Sequence, residues 1–349
     1  MQLPLLTVSK RHSNSSIYTN NHTVQARNLT LCACLNLTRM INSRIRPFSI
    51  IVFFLILVGK PAISCDVCGC SASGLSGGMF PQIQSNMLGW RFTPARFTHP
   101  ATLDNMNGAS LVKEDRYTDQ ELFFRWYAHK RLQLWITAPY RVHERIETLR
   151  TTTIQGIGDM QASALYTIVN TNQDTIHRNW KHIWLAGAGV SLPTGKYRQR
   201  DETLTTLPNG FQLGTGAYSA VLNSVYLIRY KRLGVQVQGD YRTWTANESQ
   251  FQKGDQYSVQ SQVFYRFPVK SLVLLPQAGM RYEHLDQDIE FDAPRVQSGS
   301  TSSWATAGLD IYAKHWMLGC SVQSPIQQTL TSAQPSSGVR FSVMAGIVW

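Results

Sequence analysis

Apolar and polar positions alternate along residues 233–267. Leu233, Val235, Val237, Gly239 and Tyr241 interleave with Gly234, Gln236, Gln238, Asp240 and Arg242. A polar break spans 245–254. Then Tyr257, Val259, Ser261, Val263, Tyr265 and Phe267 interleave with Ser258, Gln260, Gln262, Phe264 and Arg266. Successive side chains of a strand point to opposite faces, so each segment presents one apolar and one polar face. Each is about ten residues long, against a usual strand of ~5–6. A tilted strand needs ~9–11 residues to cross a bilayer. Gln, Asp and Arg on the second face suit a wet lumen better than a dry core. The pattern predicts an all-β chain: an antiparallel transmembrane β-barrel facing lipid outside and water inside.

The same rule predicts strands near 87–99 (weakened by Pro94), 116–128, 131–147, 159–169, 182–192, 216–229, 272–285, 303–313, 316–323 and 338–349. With the pair above, that makes about twelve, an even number as bacterial barrels prefer. Connections near 130, 231, 269 and 314 are short. Those at 105–114, 149–157, 193–213, 245–254, 286–300 and 324–337 are longer. Short turns at one end and long loops at the other are the outer-membrane pattern. Phe341, Val343, Ala345, Ile347 and the final Trp349 share one face of the last strand. Such a terminal aromatic looks like the assembly signal of bacterial outer-membrane barrels.

Upstream of the barrel the pattern changes. Residues 50–58 are an unbroken apolar run behind Arg44 and Arg46, followed by Pro61-Ala62-Ile63-Ser64. A charged start, a short apolar run and small residues at the cut make a secretory signal peptide. The run is too short for a membrane-spanning helix, which needs ~20 apolar residues. The expected organisation is 1–39 as a non-native or disordered extension, 40–64 as signal peptide, 65–86 as a Cys/Gly-rich linker or plug, and 87–349 as the barrel.

Composition adds three points. Charged residues are 15% and aromatics 11%; a low charge fraction against ~25% for soluble domains fits a lipid-facing wall. The net charge of +12 is uneven, because residues 1–64 carry seven Lys or Arg and no acid. The rest shows no basic cluster interleaved with aromatics, so nucleic acid is not an expected partner.

Candidate chemistry is sparse. On the polar parity, Gln236, Gln238, Asp240, Arg242, Gln260, Gln262, Arg266, Gln277, Arg281 and Glu283 are expected to line the lumen, and their charges could form a constriction. Cys65, Cys68 and Cys70 are spaced for three thiolates to meet one soft ion, copper or zinc. A disulfide in an oxidising compartment and lipid attachment at Cys65 are the alternatives. Cys320 lies on the apolar parity and is expected to be lipid-facing or packed. His143 with Glu144, and His284 with Glu283 and Asp286, are the densest His/acid groupings. Neither has a serine partner, so an embedded lipid-modifying enzyme is a secondary reading and no catalytic residue is assigned.

Three motifs carry a resemblance. Gly156-Ile157-Gly158-Asp159, Ser191-Leu192-Pro193-Thr194-Gly195-Lys196 and Gln212-Leu213-Gly214-Thr215-Gly216-Ala217-Tyr218 occur in this order. In order and spacing they resemble the outer-membrane transporter family associated with meta-pathway phenol degradation, over roughly residues 85–349. The Cys-rich start looks like a Bacteroidetes-type version. The resemblance implies a Gram-negative outer-membrane barrel moving small hydrophobic molecules, and it carries no catalytic residues. Read physically, Pro193 suits a strand end because it has no N–H to donate. Asp159 either faces the lumen or caps a turn, with the structural role preferred. The expected function is a passive channel whose partners are membrane lipid and a small, hydrophobic or aromatic solute. A copper-binding outer-membrane protein is the alternative.

Overall fold

The computed structural model describes residues 84–99, 102–103, 110–111, 113–148, 150–173, 179–201, 203–330 and 336–349. The extension, the signal peptide and Cys65, Cys68 and Cys70 lie outside the described residues. So does 65–83 of the expected linker or plug.

Twelve antiparallel strands close into a barrel. They are β1 (Met87–Thr98), β2 (Lys113–His129), β3 (Leu132–Glu147), β4 (Met160–Asn170), β5 (Trp180–Leu192), β6 (Ser219–Tyr230), β7 (Leu233–Trp244), β8 (Gln256–Tyr265), β9 (Leu272–Leu285), β10 (Ser300–Tyr312), β11 (Trp316–Leu330) and β12 (Arg340–Val348). Each pairs with its sequence neighbours. The ring shuts where β1 meets β12, with Met87 opposite Val348 and Phe92 opposite Val343. Asn86 and Trp349 then exchange backbone hydrogen bonds of 3.1 and 3.2 Å, so the terminal Trp sits in the seam. In lipid an open edge would leave a row of unpaired N–H and C=O groups, each costing several kcal/mol.

Pro94 stands inside β1 despite its missing N–H. β12 pairs with β1 only up to Phe92, and the next contacts on that side are Gly338 N–H to the Arg96 carbonyl and Phe97 opposite Ser337. Residue 94 shares the parity of 96, so its nitrogen points to the stretch where β12 offers no ladder partner. Two expected boundaries change. Residues 150–157 form a strand, Arg150–Ile157, along Tyr140–Glu147 of β3, where a loop was expected. Its β-branched run Thr151-Thr152-Thr153-Ile154 favours that conformation. β11 continues to Leu330, past the expected end at 323, because a register shift at Ser303/Trp304 lets it follow β10 to the rim.

The alternation holds around the ring. Val237, Val259, Val263, Leu222 and Met280 are exposed on the outer face, while Gln236, Gln238, Gln260 and Gln262 are buried inside. Outward aromatics band both ends: Trp126, Trp180, Tyr230 and Trp316 near the short turns, Tyr140, Tyr218, Tyr241, Tyr257 and Tyr282 near the long loops. Amphipathic rings settle at the membrane–water boundary, and such girdles flank the apolar band of outer-membrane barrels. Cys320 is exposed on the outer parity, as expected.

Inside, the wall is layered. Toward the short turns, Met87, Phe123, Trp135, Leu165, Leu227, Phe264, Leu275, Met317 and Met344 join one buried apolar cluster. Toward the long loops the inward side chains are mostly amides, hydroxyls and charges, with Phe97, Tyr117 and Trp304 set among them.

A charge on either parity separates the two faces. Val259→Arg, on the lipid side of β8, should destabilise the barrel in vesicles by about 2–4 kcal/mol. Gln238→Lys, inward and two positions from Asp240, should cost less than half of that. Denaturant titration of both variants in liposomes checks this, and equal costs would contradict the assigned faces.

Candidate functional site

The site begins where β5 ends. After Leu192 the chain turns into the barrel and returns to the wall only at Ser219. Within this segment Leu207, Phe211, Gln212, Leu213 and Ala217 are buried. The loop has a small frame of its own. Gln212 donates to the carbonyls of Leu207 (2.8 Å) and Gln199 (3.1 Å) and accepts from the Gln199 N–H (2.9 Å). These bonds satisfy backbone groups that would otherwise be buried without partners.

One carboxylate holds both legs of the loop. Asp159 Oδ1 accepts from the Gly195 N–H at 3.0 Å. Its Oδ2 accepts from the Thr215 N–H at 2.8 Å and the Thr215 hydroxyl at 2.7 Å. The Thr194 hydroxyl donates to the Gly158 carbonyl and accepts from the Met160 N–H, both at 2.9 Å. Gly195 and Gly214 touch backbone to backbone: a Cβ on Gly214 would lie 2.5 Å from the Gly195 oxygen. Gly216 turns the chain back to the wall at φ +66°, a conformation costly for residues with a Cβ. The three motifs are therefore one structure. The first supplies the carboxylate and the other two supply the legs.

The tip of the loop rests on β2 and β3. Arg141 donates to the Leu213 carbonyl at 2.7 Å, and His143 Nδ1 lies 2.9 Å from the Phe211 carbonyl. A carbonyl only accepts, so that nitrogen carries the hydrogen. The Arg145 guanidinium lies 4.6 Å from the centre of the Phe211 ring. Tyr117 stands at 6.0 Å from the same ring and His143 at 5.7 Å. Beneath them Asp115 accepts two 2.7 Å bonds from Arg145. Asp119 lies 3.7 Å from Arg141 and 3.8 Å from His143. At the loop's outer end Arg150 donates to Asp201 at 2.7 Å. The Thr203 hydroxyl, the Thr205 N–H and Arg150 together hold the Asp201 carboxyl down at about 2.

The lumen residues expected from the sequence fall into place unevenly. Gln236, Gln238, Gln260 and Gln262 are buried on the inner face. Arg281 and Glu283 bond each other at 2.6 Å, and Glu283 also takes Arg340 at 3.1 Å. Arg281 reaches Gln260 at 3.2 Å and Ser258 at 3.0 Å, and Ser258 donates to Asp240 at 2.8 Å. Arg242 instead bonds Gln161 across the lumen. Arg266 is exposed at the short-turn end, away from the other charges. Arg340, whose guanidinium lies 3.8 Å from the Trp304 ring centre, was not singled out by the sequence. It sits opposite in parity to Phe341, and that was the available signal.

The wall separates His143 from Glu144 and His284 from Glu283, while His284 keeps Asp286 at 3.1 Å. His143 faces inward while Glu144, its neighbour, has the opposite parity. Glu283 faces the lumen, whereas His284 stacks on the outward Tyr257 at 4.6 Å. Among the described residues no group of three His, Cys, Asp or Glu side chains is placed to hold a metal ion.

No family model and no curated protein matches the sequence. Solved structures do. An outer-membrane channel from Pseudomonas putida F1 is similar over 78% of this chain and 97% of its own, at 13% identity and a TM-score of 0.57. The β domain of the Bordetella autotransporter BrkA covers 76% of this chain and 100% of its own, at 9% identity and 0.44. The CymD monoaromatic hydrocarbon channel covers 83% and 95%, at 9% identity and 0.34. At these identities the likeness is one of fold. With its two girdles and apolar outer band, the chain is an outer-membrane β-barrel of the Gram-negative type.

Two outcomes follow for the loop. Asp159→Ala strands two N–H groups and should loosen the legs by about 2–4 kcal/mol, with Asp159→Asn intermediate. Trypsin cutting at Lys196, Arg198 or Arg200 of the folded barrel should accelerate from wild type to Asp159→Asn to Asp159→Ala, and equal rates in all three proteins would rule the clamp out. Asp201 has a lowered folded value, so its anchor is complete above the unfolded value of 3.8 and is lost as pH falls toward about 2. Protection of the 203–205 amides, after correction for the intrinsic pH dependence of exchange, should fall over that window and stay constant from pH 5 to 8.

Proposed function

We propose that the barrel is a passive outer-membrane channel for small, hydrophobic or aromatic molecules. One observation carries the reading: a closed wall around a lumen that is polar and charge-paired toward the long loops and apolar toward the short turns, narrowed by the in-folded loop between β5 and β6. Barrels of ~8 strands are filled by side chains and those of 16 or more leave wide channels. Twelve strands lie between these sizes, and the in-folded loop and the packed apolar cluster narrow the interior at its two ends. A small apolar solute gains from the buried apolar cluster what an ion does not. The paired charges above it give no strong field of one sign, so gross charge selection is not expected.

The fold-level likeness to the Pseudomonas putida F1 channel supports the reading. So does the way the three motifs of the phenol-associated transporter family converge on the loop legs. The proposed partners are membrane lipid and the solute, and no catalytic residue is invoked. Copper binding at Cys65, Cys68 and Cys70 depends on residues outside those described, and no observation on the barrel favours it.

Refolded protein in planar bilayers should show small, discrete conductance steps. Replacing Phe211 and Leu213 by Gly should enlarge them, and both proteins should speed toluene entry into proteoliposomes. Absence of conductance and of uptake in both would end the channel reading.

A further inference from the structure

The way the loop tip is held has the form of a bound ligand. The Phe211 ring lies within reach of Tyr117, His143 and Arg145, and Tyr117 meets His143 edge-on at 4.5 Å. Two carbonyl oxygens beside the ring accept directed hydrogen bonds, one from Arg141 and one from His143. All the wall groups come from β2 and β3, which the barrel ladder fixes independently of the loop. The loop for its part carries its own internal bonds through Gln212 and is attached to its surroundings by polar contacts at Asp159, Thr194, Arg150, Asn247 and Arg198. A rigid receiving surface and a separable unit that fills it are the parts of a displacement site.

We propose that Phe211 and its neighbouring carbonyls occupy a solute-binding site as a built-in surrogate. A small neutral aromatic molecule bearing a carbonyl-type acceptor takes the same contacts and moves the loop aside. The ring meets Tyr117 edge-on and lies against the Arg145 guanidinium, and its oxygen accepts from Arg141 or from His143 Nδ1–H. Cation–π and stacking contacts select a π face over a saturated ring. Charge selects the neutral form. Asp115 already takes Arg145 in two bonds and Asp119 lies beside Arg141 and His143, so a carboxylate would add a charge without a free cation to meet it. The surrogate competes with the solute, so the bore opens when the solute is present.

This proposal deepens the channel reading, and binding tests it separately from conductance. The full barrel in detergent is titrated with acetophenone by calorimetry and in bilayers by conductance. Wild type should bind saturably, and its conductance should rise with the probe. Phe211→Ala should bind more tightly, because no surrogate has to leave, and should conduct without the probe. Arg141→Met and Tyr117→Leu should each weaken binding by about tenfold while the thermal unfolding midpoint of the barrel is unchanged. Methyl cyclohexyl ketone and benzoate should bind much less. If Phe211→Ala fails to tighten acetophenone binding, or either control binds as well as acetophenone, the proposal is overturned even if the protein conducts. If no condition gives conductance but Phe211→Ala tightens binding, the site stands and the channel reading falls.

Discussion

Backbone hydrogen bonding in lipid is the constraint on which the rest of this structure depends. A strand in the hydrocarbon layer has no water to satisfy its N–H and C=O groups, so the sheet must have no edge there. The β1–β12 seam provides this, and it is why Trp349 is tied to Asn86. Where the seam is incomplete, beyond Phe92, a residue without an N–H stands in β1. Closure also fixes the parity of every side chain, since a slip by one residue would turn the glutamines to lipid and the valines inward.

Closure leaves a lumen to be filled or kept open, and the chain does some of both. The apolar cluster at the short-turn end comes from nearly every strand, so it is a property of the ring and not of any hairpin. Above it, charges are paired across strands: Arg281, Glu283 and Arg340 in one group, Asp115, Arg145, Asp119, Arg141 and His143 in another. A buried charge without a partner costs several kcal/mol, so pairing is the condition for placing arginine in a narrow bore at all. It also leaves those arginines with directed N–H groups and little net field. That combination suits recognition of an acceptor oxygen better than attraction of an ion.

The loop between β5 and β6 couples this lumen to the outer rim. It is attached by hydrogen bonds and ion pairs at its legs and buries Leu207, Phe211, Leu213 and Ala217. The hold on its legs rests on the geometry of Asp159, Gly195 and Thr215. Both legs meet at that one carboxylate, which couples the hold on one to the hold on the other.

Much of the fold followed from the sequence because period-two alternation is local and survives any tertiary arrangement. It gave the strand count, the alternation of buried and exposed positions along β7, β8 and β9, the exposed Cys320 and the alternation of short and long connections. It misread Arg150–Ile157, because pairing with the tall end of β3, not hydrophobic contrast, makes that stretch a strand. It placed Arg266 among the lumen charges, because parity says which face a side chain takes and not how far along the axis it stands. The three motifs were visible as strings of Gly, Thr and Asp, yet their meeting at one carboxylate spans 56 residues. The Phe211 site has no sequence signature, since an aromatic in a loop is common. Only the closed barrel brings the loop over β2 and β3, and only there do Arg141, His143 and Tyr117 face the same ring.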